Sequence, residues 1–102
     1  MTRYILSPEA KQDLREIRTD LNKVAGPHIA QNMTSGIVRA MRLLAERPEL
    51  GHFQRDLTSD PVRFWQVYDF MIVYDHASRP IGVARVLHSR RDVAAILARD
   101  RR

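Results

Sequence analysis

The hydrophobic period of this chain changes once, between Leu44 and Val62, and that change limits the folds open to it. Before it, apolar residues recur at helical spacing. Ala10, Leu14, Ile17, Leu21 and Val24 form one stripe, and Ile29, Met33, Ile37, Ala40, Met41 and Leu44 form a second. After it come Val62–Val67 and Phe70–Tyr74, rich in aromatic and β-branched residues and joined by the tight connection Tyr68-Asp69. The turn His76–Pro80 leads into a third run, Ile81–His88. A short strand is predicted at Arg3–Leu6 and a closing helix at Asp92–Ala98. The order β-α-α-β-β-β-α predicts an α+β domain: an N-terminal strand, an antiparallel two-helix hairpin, an antiparallel β-meander and a short C-terminal helix.

The boundaries carry their own signals. Ser7 suits a helix cap, Pro8 the first helical position and Glu9 the positive end of the helix. Gly26-Pro27 breaks the first helix, so the two helices fold back on each other. The second ends before Pro48, because the residue preceding a proline disfavours helical dihedrals. Pro48 to Pro61 reads as a loop. Beside the first apolar stripe run an acidic row (Glu9, Asp13, Glu16, Asp20) and a basic row (Lys11, Arg15, Arg18), both expected to face water.

At 102 residues the chain fits a single domain, 1–102, and its 44% hydrophobic content argues for a folded globule. There is no cysteine, and His28, His52, His76 and His88 show no ligand-pair spacing, so neither a metal nor another cofactor is expected. No apolar run reaches membrane-spanning length, and the first residues lack the apolar core of an export signal. The expected location is the cytoplasm.

Charge is distributed unevenly. Met1 to Asp75 holds ten basic and ten acidic residues, whereas His76 to Arg102 holds seven arginines against Asp92 and Asp100. The formal net charge of +5 favours anionic partners. Arg90, Arg91, Arg99, Arg101 and Arg102 form the best candidate for a target-binding patch. Arg85 falls inside an apolar strand, where an unpaired charge is costly. It therefore needs an acid within the fold, such as Asp69 or Asp75, or one supplied by a partner; Arg63 invites the same two readings. His88 either bonds a backbone carbonyl at the strand end or shuttles protons. Phe64, Trp65 and Phe70 read as core rather than as a platform for bases, so sequence-specific nucleic-acid binding is not expected.

Several pieces, in order, resemble the RelE/ParE toxin superfamily of bacterial type II toxin–antitoxin systems, on the ParE or plasmid-stabilisation side. They are Tyr4-Ile5-Leu6-Ser7-Pro8-Glu9-Ala10, then Leu43-Leu44 through Pro48-Glu49-Leu50-Gly51, then Val62 to Val67. Ile72-Val73-Tyr74 and Arg85-Val86-Leu87-His88-Ser89-Arg90-Arg91-Asp92 complete the set. The resemblance implies a growth-arresting toxin that acts on DNA gyrase without turning over substrate. It also implies a ParD-like antitoxin, encoded by the adjacent gene, that neutralises it in a hetero-oligomeric complex. Met33, Ile37 and Met41 on the hairpin, with Arg63 and Arg85 of the sheet, are the expected antitoxin contacts. The alternative is a RelE-like ribosome-dependent endoribonuclease, with Arg63 and Arg85 on the phosphorane and His88 moving the proton. Against it, the lysines of such enzymes are missing from the middle strands, and no tyrosine follows His88.

Overall fold

The structure, a computed structural model, describes residues 3–101. Its elements follow the predicted order: β1 (Tyr4–Leu6), α1 (Pro8–Ala25), α2 (Pro27–Glu46), β2 (Arg63–Val67), β3 (Phe70–Asp75), β4 (Ile81–His88) and α3 (Val93–Asp100). A single 3-10 turn, Pro48–Leu50, opens the loop between α2 and β2. The Ser7 hydroxyl accepts the Ala10 N–H at 2.9 Å, capping α1, and the Asp92 carboxylate does the same for α3 from Ala95. Gly26, at φ 89°, ends α1 and starts α2. That left-handed angle reverses the chain within one residue, which favours glycine.

The four strands lie in the order β1-β4-β3-β2. β2, β3 and β4 form the antiparallel meander, and β1 closes the other side parallel to β4, from Tyr4 opposite Ile81 to Leu6 opposite Val83. α1 and α2 form the crossover between β1 and the meander. One face of the sheet packs on the hairpin: Phe70, Ile72, Tyr74 and Val83 meet Ala10, Ile17, Ile37 and Met41. The other face packs on α3, with Met71, Val73 and Leu87 against Val93, Ile96 and Leu97. β3 is buried on both faces, which is why its sequence is a continuous apolar run.

β4 carries a bulge. Arg85 pairs with Val73 and Val83 with Tyr74, leaving Ala84 over. In a regular strand Ile81, Val83, Arg85 and Leu87 would share a face. The extra residue inverts the alternation, so Val86, not Arg85, enters the hairpin core. The freed Ala84 carbonyl accepts the Ser7 hydroxyl at 2.6 Å, so the cap of α1 also fastens the bulge.

Three parts of the sequence reading are corrected. Asp13, expected in water with the acidic row, is only 4% exposed. It stands three residues after Ala10 and four before Ile17, within the buried stripe. Val24 and Ile29, counted in the two apolar stripes, are 81% and 47% exposed, so neither stripe is buried along its whole length. Ile37 and Met41 are fully buried between α2 and the sheet, so neither lies on an open groove.

Candidate interaction surfaces

Arg85 is held by two carboxylates from two helices. Its Nε and Nη2 donate to the Asp13 carboxylate, each at 2.8 Å, and its Nη1 donates to Asp100 at 3.1 Å. Asp13 also accepts the Val86 backbone N–H at 3.0 Å. β1 ends opposite Val83, so this N–H lies on an edge that no strand covers, and the Asp13 carboxylate takes the place of the missing strand. The hydrogen bonds from Arg85 to Asp13, ahead of the opposing desolvation, hold the guanidinium well above its ordinary range. The partners are therefore neither Asp69 nor Asp75.

Arg63 is held differently. Its Nη1 donates to the Gly51 carbonyl at 2.7 Å, and its guanidinium lies 4.4 Å from the centre of the Phe53 ring. Arg55 approaches the same ring at 4.7 Å, and His76 meets it edge-on at 5.4 Å. Among the described residues, two buried side-chain nitrogens have no hydrogen-bond partner, Arg63 Nε and His76 Nδ1, and both belong to this cluster.

His88 closes β4 at the opposite end. Its Nδ1 accepts the Arg90 N–H at 3.1 Å, so it bonds a backbone donor rather than the expected carbonyl. Its ring meets Phe70 edge-on at 5.3 Å. It borders a hollow of about 280 Å³ whose apolar floor includes Leu21, Met33 and Phe70, with Glu16, Asp20 and Asp69 at the rim.

The nuclease trio is not brought together. Arg63 is in register with Tyr74 and His88 with Phe70, four residues apart on β3, or about 13 Å along the strand. Arg85, between them, is bonded on three nitrogens. No group of three or more histidine, aspartate or glutamate side chains among the described residues is placed to hold a metal ion.

The basic residues of the C-terminal end are spread over two elements. Arg90 and Arg91 are exposed in the turn before α3, and Arg99 and Arg101 lie at its end. Arg101 pairs with Asp60 at 3.2 Å, tying the end of α3 to the loop before β2. Arg102 lies outside the described residues. A larger groove runs along the outer side of the hairpin, about 730 Å³, and Arg18, Arg39 and Arg42 are among its walls. The sequence reading assigned this groove no role, passed over Phe53, and counted Asp100 only in the charge balance of the C-terminal segment. The periodicity around Asp13 carried a usable signal; nothing local announced Phe53.

A family model described as the ParE toxin of the type II toxin–antitoxin system parDE matches residues 4–93. No curated protein matches the chain. Among solved structures, a chain of the chromosomal ParDE TA system from P. aeruginosa has the same fold. It is 19% identical, with a TM-score of 0.73, and the match covers 86% of this chain and 96% of that one.

Proposed function

From the premise that the chain belongs to the ParE toxin family of type II toxin–antitoxin systems, we propose that it inhibits DNA gyrase by protein–protein contact. On this reading it acts in the cytoplasm, arrests growth, and is neutralised by a ParD-like antitoxin in a hetero-oligomeric complex. It needs no cofactor and turns over no substrate. The observation that carries a contact mechanism over catalysis is the state of Arg85. A cation meant for a phosphorane must be free to meet it. This one is spent on Asp13 and Asp100, and His88 is too far from Arg63 to act with it.

The exposed arginines, Arg90, Arg91 and Arg99, would face the target, with Arg101 at the end of α3. Of the residues expected to meet the antitoxin, Met33 retains access, through the hollow it shares with Leu21 and Phe70. Arg63 has one flank on Phe53 and contributes through charge more than through free donors.

The test adds the purified chain to gyrase and, separately, to translating ribosomes. The expected result is loss of supercoiling or accumulation of cleaved DNA, with mRNA intact. Cut mRNA together with unaffected gyrase would overturn the proposal. Charge reversal at Arg90 and Arg91 is expected to weaken gyrase inhibition by about tenfold or more while leaving the fold unchanged.

A further inference from the structure

We infer that the Phe53 end of the sheet is a binding site for a small phosphate dianion, either free or as a phosphomonoester. The loop after α2 sets the frame. A Cβ at Gly51 would collide with the Tyr74 hydroxyl and the Phe64 carbonyl, so glycine lets the loop lie directly on the sheet. His52 then exchanges two backbone hydrogen bonds with Phe64, at 2.9 and 2.7 Å, which fixes where Phe53 leaves the sheet. Three arginines reach this frame from three segments: Arg55 from the loop, Arg63 from β2 and Arg79 from the turn before β4. Each donates from Nη1 to a backbone carbonyl, that of Ser59 at 3.3 Å, Gly51 at 2.7 Å and His76 at 2.6 Å respectively. The Nη2 groups of Arg55 and Arg79, both exposed side chains, have no acceptor among the described residues. None of the three arginines is in an ion pair there, and the Asp75 carboxylate accepts the Ala77 N–H at 3.0 Å. The site is fixed in shape and holds a surplus of donors and positive charge.

A second observation is independent of charge. The two orphaned nitrogens, Arg63 Nε and His76 Nδ1, both belong to residues that meet the Phe53 ring. A buried polar atom left unpaired is costly, so the closed arrangement favours any oxygen that can satisfy both. Phe53 is 38% exposed, and a turn of its ring toward solvent admits such an oxygen. Arg63 Nε always donates, and His76 Nδ1 donates when the imidazole is protonated or carries its proton there. The donors belong to a strand, a loop and a turn, and two guanidiniums share one ring, at 4.4 and 4.7 Å from its centre. A carboxylate brings one charge and two oxygens in a single plane. A phosphomonoester brings about −1.5 to −2 charges near neutral pH and three acceptor oxygens. It therefore matches the donors in number and offsets both guanidiniums, which a carboxylate or a singly charged phosphodiester does not. This inference does not depend on gyrase being the target.

The experiment is calorimetric titration of the intact chain with inorganic phosphate, adenosine 5′-monophosphate, dimethyl phosphate and acetate, chloride holding the ionic strength constant. Saturable binding of the first two is expected, with the diester and acetate weaker by about tenfold or more. Equal affinity for phosphate and the nucleotide identifies free phosphate as sufficient; a tighter nucleotide identifies a phosphomonoester whose remainder adds contacts. Arg55→Gln with Arg79→Gln, both exposed positions, should weaken phosphate binding by about tenfold or more, whereas Arg90→Gln with Arg91→Gln should not. Phe53→Ala should bind phosphate at least as tightly as the wild type, because the ring no longer has to turn aside. A purely structural cluster would not gain affinity in this way. Circular dichroism checks that each variant is folded. No saturable phosphate binding, binding unchanged by the Arg55 and Arg79 substitutions, or acetate or dimethyl phosphate binding as tightly as phosphate would overturn the inference. So would a folded Phe53→Ala chain that binds phosphate more weakly.

Discussion

Arg85 and Arg63 stand on strands either side of β3, and the fold holds the two cations by different means. Arg85 sits at the uncovered edge of β4, and its two acids come from opposite sides of the sheet: Asp13 from the hairpin layer, Asp100 from α3. It therefore joins three elements through full charges, at a site where the side chain is 13% exposed and that of Asp13 is 3% exposed. Arg63 answers a backbone carbonyl and a ring face, both in the loop between α2 and β2. It fastens one loop to one edge strand through dipole and quadrupole. The lesson is that a cation in a strand does not demand an acid. What it demands depends on whether elements or only a loop must be fastened there.

The sharpest way to break this contrast is Asp13→Ala. It removes two of the Arg85 hydrogen bonds and the carboxylate that accepts the Val86 N–H, leaving a nearly buried charge with Asp100 among the described residues. Removing one partner of a buried ion pair typically costs about 3–5 kcal/mol. Urea unfolding should register a loss of that order, with Asp13→Asn losing less because its amide oxygen can still accept from Val86. A loss under about 1 kcal/mol would mean that water or Asp100 replaces Asp13, and Arg85 would then belong with Arg63 as a weakly held cation.

On the Arg63 side the largest expected effect comes from the support beneath its acceptor. The Tyr74 hydroxyl accepts the Gly51 N–H at 2.8 Å and donates to the Pro48 carbonyl at 2.6 Å, pinning the loop that presents the Gly51 carbonyl. Tyr74→Phe leaves two buried backbone groups unpaired and should cost about 1–3 kcal/mol. Desolvation by burial raises the pKa of this phenol, outweighing the Gly51 hydrogen bond and Arg63, which lower it. The native state therefore keeps the proton where the unfolded chain has lost it. This stabilisation is complete below about pH 10 and is lost as pH rises from there through the raised folded value. Stability profiles of wild type and Tyr74→Phe should converge across that alkaline range. Parallel profiles would show that Tyr74 does not govern it.

How much of this was legible in the sequence follows the range of the interaction concerned. Caps and breaks act within a few residues, and Ser7, Gly26-Pro27, Pro48 and Asp92 appear where their chemistry placed them. The parallel pairing of β1 with β4 joins residues about 77 positions apart, and nothing in Tyr4-Ile5-Leu6 specifies a partner. The need of Arg85 for a counter-charge was readable, but its identity was not. Asp69 and Asp75 are nearer in sequence, yet the bulge at Ala84 and the end of β1 make room for Asp13. The groove on the hairpin escaped notice because Arg18, Arg39 and Arg42 look like ordinary solvated charges until the two helices lie side by side.

The smallest expected effect decides whether the Phe53 ring holds Arg63 at all. Phe53 is 38% exposed and lies between the guanidiniums of Arg55 and Arg63. Each such contact is worth about 0.5–1 kcal/mol at a surface site. Phe53→Leu keeps an apolar side chain but removes the negative ring face, so two like charges are left near each other without the ring's attraction to offset their repulsion. A loss of about 1 kcal/mol in low salt is expected, shrinking as ionic strength rises because salt screens the arginine pair. A double-mutant cycle with Arg63→Met separates the ring from the carbonyl. If the two losses simply add, Arg63 is held by the Gly51 carbonyl alone. Coupling that persists in high salt would instead assign the ring a share of the fastening that Asp13 and Asp100 supply on the other side of β3.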